Sequence, residues 1–591
     1  MLRDPLLDWL ELHGERKGFV RDDRLPGFDA RTAFGPFIMK KGCEFEVAVV
    51  GLLRSRCDLR SVGQGNGDSR DPAKFQATLG AMRDGVEVIH QGVLHDDVSR
   101  TYGSPDLLVR SDVLERLFKD PFEFEIARLD KKNLQKEAAL ASRAGAPLLG
   151  APHHYRVVDI KFTTLHLSKS GELSNSGSGP AYKAQVFIYN RALGRAQGYE
   201  PPSAFLLGRS WERANQRGSG CFERLATVSR DGLLAKGEVL AETVDAAVEW
   251  IRRVRTEGAQ WTVLPSPEVN ELRPNMKNGS DAPWHVAKKR IADETRELTQ
   301  MWQIGVARRN ALLSGDGGPP IRRWDDAALT PALAGVTGEK MGPVLQALLD
   351  INRAGTEAFV HPEKVRMEEE KWRQPEKLEF FVDFETVSDV NDDFKPLPER
   401  GGHPLIFMVG CGHIEEGQFT FKCFTAETLT EEAEARVLDR WFAHMAAVQT
   451  RLRFEGVPQV FHWSPAEEST LETAYNSAKR RHRSREWPEP RWFDFLNRVI
   501  RQEPVVFRGA LGFGLKAIGK ALHARGLVST SWQDGPTDGL GAMVAAWSAA
   551  AEAQETGKSL PDIELMREVE RYNEVDCRVM SEIISYLRVN H

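Results

Sequence analysis

The sequence has little of what marks secreted, membrane-spanning or disulfide-stabilised proteins. Its 591 residues include six cysteines, scattered without a paired C-x-x-C spacing, which argues against a zinc site, an iron–sulfur cluster or a disulfide framework. No apolar run is long enough to cross a bilayer, and the first residues lack the charged-then-apolar pattern of a signal peptide. We therefore expect an intracellular, cytoplasmic protein without a membrane partner.

Two further absences limit the classes of function. The G-x-x-x-x-G-K-[ST] loop that cradles nucleotide phosphates does not occur, so we expect no helicase motor in this chain. The formal net charge of −6 does not attract polyanions, so any contact with nucleic acid must come from a local basic surface. With 41% hydrophobic and 28% charged residues, the composition is that of a globular protein.

The length exceeds what one hydrophobic core usually supports, so we expect an α/β multidomain protein. Shifts in composition indicate a first domain at 1–265, a charged helical connector at 266–370 and a last domain at 371–591. A Gly- and Pro-rich segment at 314–320 interrupts the connector and predicts a turn or hinge. The connector is typical of a structural spacer, with contact to a duplex backbone as the alternative.

The first region contains carboxylates and a lysine on two predicted strands. Residues 103–106 read Gly-Ser-Pro-Asp and lead Asp106 into an apolar strand, while Asp159 and Lys161 lie on a second strand at 156–163. Side chains alternate along a strand, so Asp159 and Lys161 share one face. Mg²⁺ prefers carboxylate oxygens, and a nearby lysine stabilises charge that develops on a phosphate. The pattern therefore predicts a metal site with a catalytic lysine.

A helix glutamate and a helical pair complete this set. Glu46 would add a carboxylate from a helix, with Glu44 as the competing candidate. Gln185 and Tyr189 are four residues apart, so they lie on one helical face and are expected to contact phosphate or base. A Ser- and Gly-rich segment at 167–181 predicts a loop beside this site.

The order of these motifs resembles that of the RecB-type branch of the PD-(D/E)XK nuclease superfamily. The motifs are a helix glutamate, an aspartate after Gly-x-Pro, an Asp-x-Lys strand and a Gln-x-x-x-Tyr helix. The resemblance spans residues 36–195 and implies a restriction-endonuclease-like fold. It implies metal ligation by Glu46, Asp106 and Asp159, catalysis by Lys161 with the two aspartates, and DNA contact by Gln185 and Tyr189. Some members of this branch carry a four-cysteine iron–sulfur cluster, whose spacing is absent here.

The last region opens and closes with a second acidic set. Asp383 and Glu385 lie on one face of a predicted strand, where two close carboxylates repel unless a cation lies between them. Tyr572 and Asp576 are one helical turn apart, so the tyrosine is placed to orient or help deprotonate an attacking water. Predicted strands at 404–413, 418–425 and 457–463 give an antiparallel meander followed by alternating helix and strand.

The Asp-Phe-Glu-Thr opening and the Tyr-x-x-x-Asp ending resemble the DnaQ-type, RNase H-like 3′–5′ exonucleases. The middle motif departs from the Asn-x-x-x-Phe-Asp of that family, so Glu467 is assigned to its aspartate and Asp494 is the alternative. The resemblance implies metal ligation by Asp383, Glu385, Glu467 and Asp576, and a catalytic role for Tyr572. An RNase H-like scaffold without catalysis is the other interpretation.

The strongest basic run lies at 479–485 and includes Arg480, Arg481 and Arg483. Trp487 and Trp492 follow it. Arginines that neutralise a phosphate backbone, with bases stacked on tryptophans, would suit a single strand. A solvated helix face and core tryptophans are the alternative.

Together, the two resemblances are those of a bacterial group of predicted RecB-family nucleases, some of them fused to a helicase. By analogy they imply a DNA single strand or duplex end as substrate, and a separate helicase or defence partner. We predict a Mg²⁺- or Mn²⁺-dependent DNA nuclease with two centres, acting in DNA processing, repair or defence against foreign DNA. The alternatives are a nucleic-acid-binding scaffold with one or both folds inactive, which recruits other enzymes, and an RNA-processing exonuclease.

Overall fold

The computed structural model of the protein describes residues 4–63, 65, 67–128, 145–218, 220–353, 358–388, 394, 397, 405–464, 471–532 and 539–591. These residues have a mixed α/β structure and the chain divides into two compact units. Unit 1 contains residues 1–2, 38–256 and 390–402, and unit 2 contains residues 3–37, 257–389 and 403–591. None of the described helices combines the length and the apolar character that crossing a membrane requires.

The α-helices of the described residues, numbered along the chain, are α1 (Pro5–Trp9), α2 (Phe34–Arg54), α3 (Pro72–Arg83), α4 (Leu114–Leu117), α5 (Glu123–Arg128), α6 (Gly179–Gln197), α7 (Leu240–Thr256), α8 (His285–Thr295), α9 (Val306–Ser314), α10 (Met341–Asn352), α11 (Glu369–Trp372), α12 (Glu431–Arg451), α13 (Leu471–Arg481), α14 (Leu515–His523), α15 (Gly539–Thr556) and α16 (Glu564–Asn590).

The strands, numbered in the same way, are β1 (Leu59–Ser61), β2 (Val88–His90), β3 (Leu94–Asp96), β4 (Thr101–Gly103), β5 (Leu107–Arg110), β6 (Tyr155–Leu167), β7 (Ser203–Arg213), β8 (Gln216–Gly218), β9 (Leu225–Ser229), β10 (Val360–His361), β11 (Glu379–Val387), β12 (Leu405–Glu415), β13 (Gln418–Thr425), β14 (Gln459–His462), β15 (Arg491–Asp494) and β16 (Val506–Phe507).

Unit 1 is built on a sheet with the strand order β1-β2-β5-β6-β7-β8, to which β9 adds by pairing with β7. Strands β2, β5 and β6 form an antiparallel meander, whereas β7 runs parallel to β6 and is reached through helix α6. Parallel neighbours require such a crossover because a tight turn can only reverse the chain. Helix α2 precedes the sheet, α3 connects the parallel strands β1 and β2, and α6 connects the parallel strands β6 and β7.

Side-chain alternation puts an apolar core on each face of this sheet. Val157 belongs to the core shared with Val186 of α6, and the next residue, Val158, belongs to the core shared with Val49 of α2. Phe394 also packs in the second of these cores, where its ring centroid lies 5.5 Å from that of Phe45. The two helices thus cover opposite faces, which leaves the strand ends as the accessible part of the sheet.

Unit 2 contains a five-stranded sheet in the order β13-β12-β11-β14-β15. The pairs β11–β12 and β12–β13 are antiparallel, and β14 and β15 are both parallel to β11. Phe381 and Val382 alternate between two cores, which also contain Ile583 of α16 and Trp441 of α12, respectively. Asp383 and Glu385 follow Phe381 at alternate positions of β11, so they lie on the face of the sheet where Ile583 and Asp576 of α16 pack.

The N-terminal residues belong to unit 2, not to the first region in which we expected them. Trp9 is fully buried and its indole N–H donates to the carbonyl oxygen of Gly258 at 2.7 Å. The ammonium of Lys288 lies 3.5 Å from the buried carboxylate of Asp4. These contacts join residues 3–37 to the chain that follows residue 257.

The connector predicted at 266–370 is likewise part of unit 2. Leu345 of α10 and Trp372 share one hydrophobic core with Phe381 of β11 and Ile583 of α16. The division therefore differs from the three predicted domains because apolar residues of the connector are buried against the last region. A charged helical sequence alone does not reveal which face is buried.

We expect Trp9→Ala to destabilise unit 2 by about 3–5 kcal/mol, because it removes a fully buried indole and leaves a cavity. Hydrogen exchange should reveal lost protection around Gly258 while β6 keeps its protection. The control is Leu12→Ala, since Leu12 is 39% exposed and its loss should matter little. Loss of protection in β6 instead would contradict the assignment of the N-terminal residues to unit 2.

Candidate functional site

The first predicted set comes together at the junction of β5 and β6. Asp106 precedes β5, and the antiparallel register pairs Leu107 with Val158, so Asp106 lies beside Asp159. The Oδ2 atom of Asp106 accepts a hydrogen bond from the backbone N–H of Ile160 at 2.7 Å. The strand pairing therefore brings two carboxylates from different strands to one point, as the sequence predicts.

Lys161 offsets part of this negative charge. It forms a close ion pair with Asp159, whose side chain is 1% exposed. Burial raises the pKa of Asp106 well above its usual value, and the charges of Asp159 and Glu46 raise it further. For Lys161, burial works to lower the pKa, but attraction by Asp159 and Asp106 outweighs burial and the pKa is raised. Lys161 thus remains a cation among the carboxylates.

Glu46 of α2, not Glu44, faces this centre. Its Oε1 atom lies 2.9 Å from Nε2 of His90 and accepts a hydrogen bond from Nε2 of Gln91 at 2.6 Å. Burial opposes ionisation of Glu46, yet these hydrogen bonds lower its pKa below the usual value. Glu44 instead pairs with Lys41 of its own helix at 2.9 Å.

Gln185 and Tyr189 of α6 also lie at this centre. The Nε2 atom of Gln185 donates to the hydroxyl oxygen of Tyr189 at 3.0 Å. Burial and the nearby charge of Asp159 raise the pKa of Tyr189. A Cβ atom at Gly103 would collide with the ring of Tyr189, which explains why glycine precedes the Ser-Pro-Asp segment. The pair shapes one wall of the site.

The second predicted set is more tightly gathered. Within the described part of the chain, a single group of three or more acidic, histidine or cysteine residues places one ligand atom of each member within 4.8 Å of the others: Asp383, Glu385 and Asp576. The first two come from β11 and the third from α16. Glu46, Asp106 and Asp159 do not form such a group among the described residues, and Glu46 and Asp159 are held by other partners.

The three clustered carboxylates strongly disfavour simultaneous ionisation. Burial raises the pKa of Asp383 to about 7. The pKa values of Glu385 and Asp576 are raised well above their usual values by burial and by the charge of Asp383. An all-carboxylate set of hard oxygen donors fits Mg²⁺ or Mn²⁺, which would offset the repulsion.

Neighbouring side chains hold these carboxylates in position. Asn573 Nδ2 donates to Oδ2 of Asp383 at 3.0 Å, and Trp532 Nε1 donates to Oδ1 of Asp576 at 2.8 Å. Gly410 pairs with Asp383 in the sheet, and a Cβ atom there would collide with Asn573. A glycine at this position is therefore required for α16 to approach β11.

The middle motif is only partly described. Glu467 lies outside the described residues, so its predicted role as a metal ligand stays a prediction. Asp494, the alternative, ends β15 and accepts hydrogen bonds from Asn497, from the backbone N–H at 3.0 Å and from Nδ2 at 2.8 Å. This carboxylate caps the turn that follows the strand, and it is not a member of the acidic group.

The basic run at 479–485 is divided between the interior and the surface. Arg481 donates to Oε1 of Glu434 at 2.6 Å, and the side chain of Glu434 is 0% exposed. Trp487 donates to Asp439 at 2.8 Å and is buried. Arg481 and Trp487 therefore take part in internal contacts, and their predicted contact with nucleic acid stays a prediction.

Arg480 and Arg483 are exposed and remain candidates for phosphate contact. Trp492 is packed against the core around Trp441, with ring centroids 6.1 Å apart, so it does not offer a free stacking face. The run of like charges in the sequence does not reveal that one arginine points inward. Its partner, Glu434, lies 47 residues away along the chain.

Several residues at the two centres were missed by sequence reasoning. Asn573 follows Tyr572 directly in the Tyr-x-x-x-Asp motif, so its position in that motif could have indicated it. The other four carry no local signal because strand pairing and helix packing bring them to the sites from distant parts of the chain: His90, Gln91, Lys516 and Trp532.

Comparison of the chain with known protein families, with curated proteins and with solved structures finds no match.

Binding of Mn²⁺ at the unit 2 acidic group should strengthen as the pH rises. The pKa of Asp383 is raised from 3.8 to about 7, so its proton stabilises the metal-free fold at low pH, and that stability is lost as the pH rises through about 7. A bound cation must displace this proton. The apparent affinity should therefore rise about tenfold per pH unit below that value for each proton displaced.

The measurement is the increase in unfolding temperature caused by Mn²⁺ at about pH 6 and about pH 8. Asp383→Asn should remove the increase. Glu568→Gln, which changes an exposed carboxylate on the same helix as Asp576, should retain it. An increase that is equal at both pH values, or that survives in Asp383→Asn, would contradict the assignment.

Arg481→Ala should destabilise the protein by about 3 kcal/mol, because it leaves the buried carboxylate of Glu434 with fewer partners. Arg483→Ala, at an exposed position two residues later, should change stability by less than about 0.5 kcal/mol. Urea unfolding of the two variants tests this difference. Equal free energies of unfolding for the two variants would mean that the ion pair of Arg481 with Glu434 does not stabilise the protein.

Proposed function

We propose that this protein is a metal-dependent nuclease with two phosphodiester-cleaving centres, one in each unit, and that its substrate is DNA. The observation that carries the proposal is the group of three carboxylates, the buried Glu385 with the half-buried Asp383 and Asp576, each of which places one oxygen atom within 4.8 Å of the others. Such a group is unfavourable without a cation, and hydrolysis of phosphodiesters is a common use of Mg²⁺ held by carboxylates.

The architecture of unit 2 supports this assignment. An RNase H-like fold has three antiparallel strands followed by two strands parallel to the first, and unit 2 has this order in β13-β12-β11-β14-β15. Asp383 and Glu385 stand on β11, the central strand, and Asp576 stands on the last helix, as in the exonucleases that the motifs resemble. Fold alone does not carry an activity, so the support comes from the carboxylates in these positions.

The architecture of unit 1 supports a second centre. A helix, a three-stranded meander, a crossover helix and a parallel strand occur in the order α2, β2-β5-β6, α6, β7. This is the order of the restriction-endonuclease-like core. Asp106, Asp159 and Lys161 stand where the meander strands meet, and Glu46 approaches them from α2.

Divalent cations bound at these carboxylates would lower the pKa of a coordinated water and offset charge on the leaving oxygen. Around them, Asn573 and Trp532 orient Asp383 and Asp576 through hydrogen bonds. Tyr572, one turn before Asp576, orients the attacking water in unit 2. In unit 1 the protonated Lys161 stabilises negative charge on the phosphate.

The direct test is cleavage of end-labelled single- and double-stranded DNA and of RNA in Mg²⁺ or Mn²⁺. Asp383→Asn should lower cleavage by the unit 2 centre by about a hundredfold or more, and Lys161→Met should do the same for unit 1. Comparing 5′- and 3′-labelled strands gives polarity and separates endonucleolytic from exonucleolytic products.

Two matched controls separate chemistry from folding. Glu46→Gln should impair the unit 1 centre, whereas Glu44→Gln on the same helix should not, because Glu44 pairs with Lys41. Glu568→Gln should leave the unit 2 centre active. Wild-type protein that binds Mn²⁺ but cleaves none of the DNA substrates would contradict the proposal and favour a nucleic-acid-binding scaffold. Cleavage of RNA alone would contradict the choice of DNA.

A further inference from the structure

Lys516 lies close to the ligand-bearing helix of unit 2. It is the second residue of α14, and its Nζ atom is 4.6 Å from the centroid of the Tyr572 ring. Tyr572 stands one helical turn before Asp576 on α16. A cation over the face of a tyrosine is attracted by the ring, so this contact fixes where the ammonium sits.

The charge of Lys516 also acts on the carboxylates themselves. Burial raises the pKa of Glu385 and of Asp576, and Lys516 acts in the opposite direction on both. This direction agrees with the position of the ammonium over the ring of Tyr572, one helical turn before Asp576. The same region thus contains three carboxylates, a tyrosine and one lysine.

Helix α14 is held against α16 by a close approach. A Cβ atom at Gly519 would come within 2.7 Å of Cγ1 of Val579 and within 2.8 Å of the ring of Trp532. Gly519 therefore lets α14 pack directly on α16, one turn after Lys516. Because Trp532 also donates to Asp576, one packing contact positions both the lysine and a carboxylate of the acidic group.

The chain that leads into α14 is fixed as well. Trp463 Nε1 donates to the carbonyl oxygen of Phe513 at 3.1 Å, and the backbone N–H of Trp302 donates to that of Leu511 at 3.1 Å. Asn352 of α10 bonds to the backbone of the same segment, accepting from the N–H of Gly509 at 2.7 Å. Residues of the predicted connector thereby hold the start of the helix that carries Lys516.

The segment beside Lys516 leaves room for a ligand. At Gly512 and Gly514, a Cβ atom would meet no described atom within 4 Å, so neither glycine is needed to avoid a clash in the described structure. Because glycine has no side chain, a phosphodiester can approach the backbone of this segment next to the ammonium of Lys516.

We propose that Lys516 is a catalytic residue of the unit 2 centre, where its ammonium contacts the phosphate that is cleaved. The inference rests on the proposed nuclease function. In the hydrolysis, a water oxygen forms a bond to phosphorus while the bond from phosphorus to the leaving sugar oxygen breaks. The water releases one proton and the leaving oxygen takes one up, so no further reactant is consumed. Lys516 keeps its proton and offsets charge on the phosphoryl oxygens.

The test compares Lys516→Met and Lys516→Arg with Lys520→Met, which removes an exposed lysine one turn further along α14. All three are made in an Asp106→Asn background, so that only the unit 2 centre can cleave. Two quantities are measured: Mn²⁺ affinity, from the electron paramagnetic resonance signal of free Mn²⁺, and the single-turnover rate on a single-stranded oligodeoxynucleotide.

Lys516→Met should cleave about a hundredfold more slowly, because it removes a cation that stabilises the transition state. Its Mn²⁺ affinity should be unchanged or higher, because a like charge near the metal ligands is removed. Lys516→Arg should recover part of the rate, and Lys520→Met should behave as the background protein. These opposite effects on rate and affinity separate catalysis from a structural role.

A parallel loss of Mn²⁺ affinity and rate in Lys516→Met would overturn the inference, and so would an unchanged rate. Failure of the proposed function looks different, since the background protein would then bind Mn²⁺ without cleaving. In that case the contact between Lys516 and phosphate is tested through the binding of a labelled oligonucleotide in Ca²⁺, measured by fluorescence anisotropy. Weaker binding by Lys516→Met than by Lys520→Met supports the phosphate contact, and equal binding overturns it.

Discussion

Repulsion between buried and half-buried carboxylates is the interaction on which both candidate centres depend. In unit 1 a direct ion pair offsets part of the repulsion, since Lys161 pairs with Asp159 while burial and two neighbouring charges raise the pKa of Asp106. In unit 2 the pKa values of all three clustered carboxylates are raised. The unit 2 group is therefore the one that gains most from a bound divalent cation, and the hydrogen bonds from Asn573 and Trp532 keep its oxygens converged.

Strand geometry explains why these charges meet at all. In each unit the acidic residues stand at a central strand of a sheet whose two faces are covered by apolar cores. The carboxylates are thus held on rigid elements and brought together by pairing register, as with Asp106 beside Asp159, or by a helix crossing the sheet, as with Asp576 over β11. Glycines at 103 and 410 make the close approaches of Tyr189 and Asn573 possible.

Much of the local structure around the sites was predictable, because it depends on short-range patterns. The strands around Asp159 and Asp383, and the helical spacing of Gln185 with Tyr189 and Tyr572 with Asp576, follow from alternation and helical periodicity. The unit boundaries did not follow, because Trp9 and Leu345 are buried by partners far along the chain. For the same reason the pairing of Arg481 with Glu434 was not predicted, and Trp532 and Lys516 were missed.

The central claim is that Asp383, Glu385 and Asp576 form a divalent-metal centre. The most direct measurement is an anomalous difference map from a crystal of the protein soaked in Mn²⁺, with the Asp383→Asn variant treated in the same way. The account predicts a strong peak among the three carboxylates that is lost in the variant. Ordered, undisturbed carboxylates with no peak between them, or a peak that persists in the variant, would contradict it.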